Sequence, residues 1–159
     1  MGGNALSKPS VRLDDFEYNI VADHVLEILE AKGYSPYIIK AYAEKDSYGD
    51  MDILFDSENF NPFEVAEFLE ATEIIRNGSV TSIGFPMKNS SGDSLMFQID
   101  LIKVSNLQAA AYYFDYNDLG NLMGKIAHKM GFKYGHEGMK YVIRDDEDSN
   151  HVIDEIFVS

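Results

Sequence analysis

Two aspartates, Asp50 and Asp52, stand at the start of an apolar run that continues to Phe55. Because a β-strand sends alternate side chains to opposite faces, both carboxylates point the same way. Met51, Ile53 and Phe55 then face the other side, where a core can take them. Neighbouring carboxylates repel each other unless a cation lies between them, and carboxylate oxygens suit hard divalent cations. The pair therefore predicts a metal site on this strand.

A third acid, Asp100, interrupts a second apolar run over residues 95–102. This run also predicts a strand, since it is short, apolar and rich in residues that favour β-structure. The three acids together are predicted to form a divalent-metal site. The competing interpretation of an Asp-x-Asp pair is a solvated strand end that holds no metal.

The elements that must position these acids alternate between helix and strand signals. Apolar residues at helical spacing predict a first helix that begins after Asp14 or Asp15 and ends at Gly33. Pro62 predicts the start of a second helix, which is expected to end near Asn77. The other predicted elements are strands at 37–43, 48–55, 80–85, 95–104, 141–143 and 152–158 and helices at 107–114 and 117–130.

This order of elements predicts an α/β (α+β) fold. The strands at 37–43 and 48–55 are expected to form an antiparallel pair, and those at 80–85 and 95–104 a hairpin around a Ser, Asn and Gly turn. The length of 159 residues suits one domain. We predict a flexible N-terminal arm over residues 1–13 and a single domain over 14–159.

Composition narrows the cellular setting and the partners. The chain has no cysteine, no secretory signal pattern and no apolar stretch long enough to span a bilayer, which predicts a cytoplasmic protein without a membrane role. The net charge of −14 argues against wrapping nucleic acid, so any such contact is expected to be local. The predicted basic patch consists of Lys125, Lys129, Lys133, Lys140 and Arg144, together with His128 and His136.

Several segments, taken in order, carry a family resemblance. Residues 49–55 are similar to a Gly-Asp-x-Asp strand, residues 98–102 to a third-carboxylate strand, and Tyr113-Phe114 to the opening of a nucleotide-binding turn. Asn117, Asn121 and Lys125 keep the spacing of the helix that follows this turn. The chain thus resembles the nucleotidyltransferase superfamily over roughly residues 37–144. Within the superfamily it resembles the palm domain of the X-family (beta-like) DNA polymerases.

The resemblance implies a mixed sheet flanked by helices and a two-metal mechanism. Asp50 and Asp52 would hold both of two Mg²⁺ or Mn²⁺ ions, and Asp100 only the catalytic one. The implied reaction moves a nucleoside monophosphate from a nucleoside triphosphate to a hydroxyl acceptor. Asp100, or a water molecule, would accept the proton of that hydroxyl.

The chain departs from the family where the triphosphate and the sugar are bound. A Gly-Ser pair and an Arg-Gly that usually precede the first aspartate are absent, and Lys45 and Ser47 are expected to substitute for them. Asp115-Tyr116-Asn117 stands in place of the family's Thr-Gly-Ser. The residues predicted to bind nucleotide are Lys45, Ser47, Gly49, Tyr113, Phe114, Asn117, Asn121 and Lys125.

Other interpretations stay open at this point. The enzyme could nucleotidylate a protein or a small molecule, which an acidic surface suits better than duplex DNA. The chain could also be a palm module that binds nucleotide or a partner without catalysis, or one part of a larger polymerase. An aromatic cluster such as Tyr112 to Phe114 is more often core than base-stacking surface. Nothing in the sequence indicates an oligomeric state.

Overall fold

The computed structural model describes residues 3–41, 45–56, 58, 60–88, 91–116, 118–145 and 151–158. In chain order the elements are α1 (Asp15–Ala31), β1 (Tyr37–Ile38), β2 (Asp50–Asp56), α2 (Pro62–Phe68), β3 (Ile74–Asn77), β4 (Val80–Lys88), β5 (Ser94–Val104), α3 (Leu107–Phe114), α4 (Leu119–Lys129), β6 (Phe132–Gly135), β7 (Gly138–Arg144) and β8 (Val152–Phe157). They form a five-stranded sheet of order β1-β2-β5-β4-β3 and a three-stranded sheet of order β6-β7-β8. The predicted α+β class is confirmed.

The larger sheet is mixed, and its parallel pair positions the acids. Strands β2 and β5 run parallel, whereas β1, β3 and β4 pair with their neighbours antiparallel. In the parallel register Asp50 lies opposite Gln98, and Asp52 lies opposite Asp100. A parallel pair needs a crossover connection, which α2, β3 and β4 supply here. The two acid-bearing strands therefore start side by side although they are distant in sequence.

Helix α1 covers the face of the sheet that is opposite the acids. It starts at a capping box, in which the Asp14 side chain accepts from the Glu17 backbone N–H and the Glu17 side chain accepts from that of Asp14. Its predicted start is confirmed, and Gly33 follows its end with a φ of +87°. The apolar side chains buried together on this face include Val25, Leu29, Met51, Ile53, Phe97 and Ile99.

Helix α3 covers part of the face that carries the acids. Leu54 shares this face with Asp52 by strand alternation. It is buried together with Ile102 and Val104 of β5 and Ala110 of α3. The acid face is thus apolar and covered at one end of β2. The aspartates lie at the other end, on the border between this covered region and a cavity.

The prediction for the second helix is wrong beyond Phe68. Helix α2 ends there, Glu70 has a φ of +52°, and residues 74–77 form β3 instead of helix. Thr72 donates its N–H to the Gly84 carbonyl and so starts the pairing of this segment with β4. Pairing with a buried strand and the β-branched residues Ile74 and Ile75 favour a strand here over a helix.

Other predicted elements are found with changed lengths. The antiparallel contact of the first two strands is confirmed, but β1 covers only Tyr37–Ile38, and residues 42–44 lie outside the described residues. The hairpin of β4 and β5 is confirmed, and so are two helices divided near Tyr116, which has a φ of +60°. Strand β6 was not predicted. None of the described helices is long and apolar enough to cross a membrane.

The junction between α3 and α4 is held by Asp115. This buried carboxylate accepts hydrogen bonds from the Tyr37 hydroxyl at 2.7 Å and from the Lys40 backbone N–H at 2.8 Å. Burial, together with this bond and the charge of Asp115, raises the pKa of Tyr37 to about 12, so the hydroxyl keeps its proton and remains a donor. The carboxylate thereby ties β1 to the end of α3.

We expect Asp115→Ala to lower the free energy of unfolding by about 2–3 kcal/mol, because two hydrogen bonds to a buried carboxylate are lost. The matched control is Asp118→Ala, since Asp118 is exposed and its side chain makes no capping bond to α4. The control is expected to change stability by less than about 0.5 kcal/mol. Urea unfolding measures both variants. Equal effects of the two substitutions would contradict this role of Asp115.

Candidate active site

The three predicted acids come together on adjacent strands. Asp52 and Asp100 are register partners, and Asp50 lies two residues before Asp52 on the same face. A cavity of about 380 Å³ opens beside Asp50 and Asp52. Its lining also includes Tyr18, Ile39, Lys40, Ala41, Lys45, Tyr48, Ile102 and Phe114. This cavity combines carboxylates, two lysines and aromatic rings, so it is the candidate active site.

Burial and mutual repulsion perturb the acids. Burial raises the pKa of Asp52 to about 7, with further contributions from the charges of Asp50 and Asp100, while Lys45 opposes the shift. The pKa of Asp100 is also raised by burial and by Asp50, against the lowering effect of hydrogen bonds from Ser82 and Gln98. The positive charge of Lys45 only partly offsets the effects of burial and of the two other carboxylates on Asp52. A bound cation would therefore stabilise their ionised forms.

Hydrogen bonds direct two of the three carboxylates. The Gln98 side-chain amide donates to both oxygens of Asp100, at 3.0 and 3.1 Å. The Gly3 backbone N–H donates to Asp50 Oδ2 at 3.1 Å. Tyr18 lines the cavity, and burial and the charge of Asp52 raise its pKa, so its hydroxyl keeps its proton. Protein donors therefore surround the acids on several sides.

The three carboxylates are chemically suitable ligands for a hard divalent cation. Three carboxylates on neighbouring strands offer only oxygen ligands, which Mg²⁺ and Mn²⁺ prefer. Their side chains are not gathered around one point, however: within the described ranges, no three acidic or imidazole groups lie close enough to hold a metal ion.

Four of the residues predicted to bind nucleotide lie near the acids. Lys45 and Phe114 line the cavity, and Lys45 Nζ lies 4.9 Å from the centre of the Tyr48 ring. Ser47 Oγ accepts a hydrogen bond from Arg12 Nε at 2.9 Å, so this hydroxyl is engaged by the N-terminal segment. Gly49 is buried directly before Asp50.

Three other predicted residues lie in a different place. Tyr113, Asn121 and Lys125 line a larger groove of about 1270 Å³ between α4 and β6. The Tyr113 hydroxyl donates to Asn121 Oδ1 at 3.2 Å. The rings of Tyr113 and Phe114 meet edge to face at 5.2 Å, one lining the groove and the other the acid cavity. Asn117 lies outside the described residues.

The groove gathers most of the predicted basic patch. Its lining includes Lys125, His128, Lys129, Lys133 and Arg144, next to the rings of Tyr113, Tyr116, Phe132 and Tyr134. Two members of the patch lie outside this lining: His136, and Lys140, whose ammonium group pairs with Glu137 at 2.7 Å and with Glu155 at 3.1 Å. An acidic chain thus has a groove of opposite charge beside the candidate active site.

Several residues of the site were not predicted from the sequence. Gln98 carries a usable signal, since it lies two residues before Asp100 and therefore on the same strand face. Lys40 reaches the cavity from the segment after β1 and Tyr18 from α1, and no local pattern specifies how either packs on the sheet. Gly3 contacts Asp50 across 47 residues of sequence. Such long-range contacts have no local signature.

Comparisons with known proteins give no family assignment. No protein-family model matches the chain, and no curated protein matches it either. The relation to nucleotidyltransferases therefore stays a prediction that rests on the motifs of this sequence.

Proposed function

We propose that the chain is a metal-dependent nucleotidyltransferase that moves a nucleoside monophosphate from a nucleoside triphosphate to a hydroxyl acceptor. The observation that supports it most is the register of β2 and β5, which places Asp52 opposite Asp100 beside a cavity lined by Lys40 and Lys45. Acids for a divalent cation and lysines for phosphates are what nucleotidyl transfer requires. The motif resemblance points to the same chemistry.

In this proposal Asp50 and Asp52 would hold two Mg²⁺ or Mn²⁺ ions, and Asp100 would complete the ligands of the catalytic one. When bound, such ions would supply the lowering of the pKa of the attacking hydroxyl and the neutralisation of charge on the phosphates. Lys40 and Lys45 bind the triphosphate oxygens by charge. The buried apolar surface around Leu54 and Ile102 keeps water from one side of the acids.

The reaction forms a bond between the acceptor oxygen and the α-phosphorus, and the bond from that phosphorus to pyrophosphate breaks. The proton of the acceptor hydroxyl passes to Asp100 or to a water molecule. Asp100 is the candidate because its ionised carboxylate only accepts hydrogen bonds and, as a ligand of the catalytic ion, would lie next to that hydroxyl. The absence of cysteine suits a reducing, cytoplasmic setting.

A second candidate function is nucleotide or partner binding without catalysis. It is favoured by the side-chain arrangement, because the described carboxylates do not converge on one point. The missing Gly-Ser pair also favours it. For a catalytic chain the acceptor stays open between a protein, a small molecule and a nucleic acid that makes only local contact.

Calorimetric titration of the chain with nucleoside triphosphates, with Mn²⁺ and with chelator, tests the proposal. Binding that requires metal is expected, and radiolabel transfer from an α-labelled triphosphate to an acceptor would establish catalysis. Metal-dependent binding without transfer to any acceptor class would favour the second candidate. Absence of nucleotide binding both with Mn²⁺ and with chelator would contradict nucleotidyl transfer, and it would also contradict nucleotide binding without catalysis.

We expect Lys45→Ala to weaken triphosphate binding about tenfold, which corresponds to about 1.4 kcal/mol. The reason is that Lys45 lines the acid cavity and supplies one of its two ammonium groups. The control is Lys103→Ala, because this exposed lysine of β5 lines a separate cavity with Arg76 and Ser79. The same calorimetric titration compares them. A matching loss in both variants would show a general charge effect instead of a specific contact.

A further inference from the structure

The N-terminal segment, residues 3–13, lies along the starts of both acid-bearing strands. Val11 donates its N–H to the carbonyl of Met96, a residue of β5, at 2.9 Å. Leu13 and Tyr48 exchange two backbone hydrogen bonds, at 2.9 and 2.8 Å, next to β2. Ser10 Oγ accepts from the Gln98 backbone N–H at 2.8 Å. The segment predicted as a flexible arm therefore bridges the two strands, and its mobility stays a prediction.

The beginning of this segment reaches the acids themselves. Gly3 donates its backbone N–H to Asp50 Oδ2 at 3.1 Å. Ala5 donates its N–H to Gln98 Oε1 at 2.8 Å. Because Ala5 engages the Gln98 oxygen, the nitrogen end of this amide faces Asp100 and donates to both of its oxygens. Two backbone amides thus direct two carboxylates, one directly and one through Gln98.

Glycine is required at position 3 for two separate reasons. Its φ of +84° is in the left-handed region that side chains disfavour. A Cβ at this position would also overlap the carbonyl oxygen of Gly49, the residue before Asp50. Any side chain would therefore move the segment away from the strand, and the hydrogen bond to Asp50 would be lost with it.

We propose that residues 3–5 are a positioning element of the metal site, which orients Asp50 through Gly3 and Asp100 through Ala5 and Gln98. This inference rests on the proposed function. Carboxylates that ligate a metal are usually held by further hydrogen bonds, and their loss weakens metal binding. Each hydrogen bond leaves other lone pairs of the carboxylate for a cation. Gly3 and Gln98 are positioning residues, since neither side chain is proposed to contact the metal or the nucleotide.

The test is titration of the full chain with Mn²⁺ alone, followed by electron paramagnetic resonance. Gly3→Ala is expected to weaken Mn²⁺ binding about 10- to 100-fold and to alter the spectrum of the bound ion, which reports its ligand geometry. The matched control is Gly92→Ala. Gly92 has the same φ of +84°, but no described atom lies within 4 Å of a Cβ built there. The control carries the backbone strain without the collision.

A second variant keeps the proposal testable if Gly3→Ala does not fold. Gln98→Met removes the amide donor to Asp100 at similar side-chain length, and we expect weaker Mn²⁺ binding and an altered spectrum here as well. Wild-type affinity and spectrum in both variants would overturn the proposal while leaving the proposed function intact. Tighter binding in Gly3→Ala would overturn it too, because the segment would then obstruct the site. Failure of the wild type to bind Mn²⁺ would overturn the proposed function and this inference together.

Discussion

Asp50→Ala is expected to lose both metal-dependent nucleotide binding and nucleotidyl transfer, whereas Asp100→Ala is expected to lose transfer and keep much of the binding. The difference follows from the proposed ligand sets, because Asp50 contributes to both ions and Asp100 only to the catalytic one. Asp50 also lines the cavity together with Lys45. Asp100 lies on the neighbouring strand β5, where it accepts hydrogen bonds from the Gln98 side chain. For Asp100→Ala the transfer rate should fall by about 10²- to 10⁴-fold, the range for loss of a general base.

Calorimetry with a nucleoside triphosphate and Mn²⁺ measures binding, and release of pyrophosphate in the presence of acceptor measures transfer. The control is Asp56→Ala, since Asp56 is an exposed aspartate at the other end of β2 and shares its strand face with Asp50. It is expected to behave like the wild type in both measurements. Full nucleotide binding by Asp50→Ala would refute the assignment of this residue to the metal site. Loss of folding in both active-site variants would show that the acids are structural.

Alternation along β2 allowed the acid pair to be predicted from the sequence. Met51, Ile53 and Phe55 are buried against α1, as expected from a period of two, and the aspartates face the other way. The partnership of Asp52 with Asp100 could not be derived from this pattern. It depends on which strands become neighbours in the sheet, and that is decided by the packing of segments far apart in the sequence.

The assignment of nucleotide-binding residues after α3 depended even more on tertiary structure. A Cβ at Gly120 would overlap the carbonyl oxygen of Tyr113, so α3 and α4 approach each other very closely. In this arrangement the Tyr113 side chain faces Asn121 and Tyr134, and Phe114 faces the acid cavity. Two adjacent aromatic residues thus serve two cavities. Sequence spacing alone could not separate their roles.

The metal-free protein is expected to become less stable as the pH rises from about 4 to about 7, and Asp52 is the main reason. Folding raises the pKa of Asp52 from its ordinary value of 3.8 to about 7. Between these values the folded state holds a proton that the unfolded chain has released, so the free energy of unfolding falls with rising pH. Above about 7 both states are ionised at this position, and the slope from Asp52 ends.

Asp52→Asn should remove this slope and stabilise the metal-free protein by a few kcal/mol at pH 8, since each pKa unit corresponds to about 1.4 kcal/mol. Urea unfolding in chelator, from pH 4.5 to 8, measures the difference between variant and wild type. Asp100 also has a raised pKa and is present in both proteins, so the difference largely isolates Asp52. Asp56→Asn, with its exposed carboxylate, should show no such gain.

Saturating Mn²⁺ should act in the opposite direction, stabilising the wild type by mass action and leaving Asp52→Asn almost unchanged. Ionisation of Asp52 destabilises the metal-free fold because burial and two other carboxylates oppose its charge, and a cation between these acids would remove that opposition. A substitution that stabilises the metal-free protein and abolishes its response to Mn²⁺ would tie the destabilising charge to the metal site. Parallel pH profiles for variant and wild type would show that Asp52 does not carry the destabilising charge. An equal response of both proteins to Mn²⁺ would show that Asp52 is not part of the metal site.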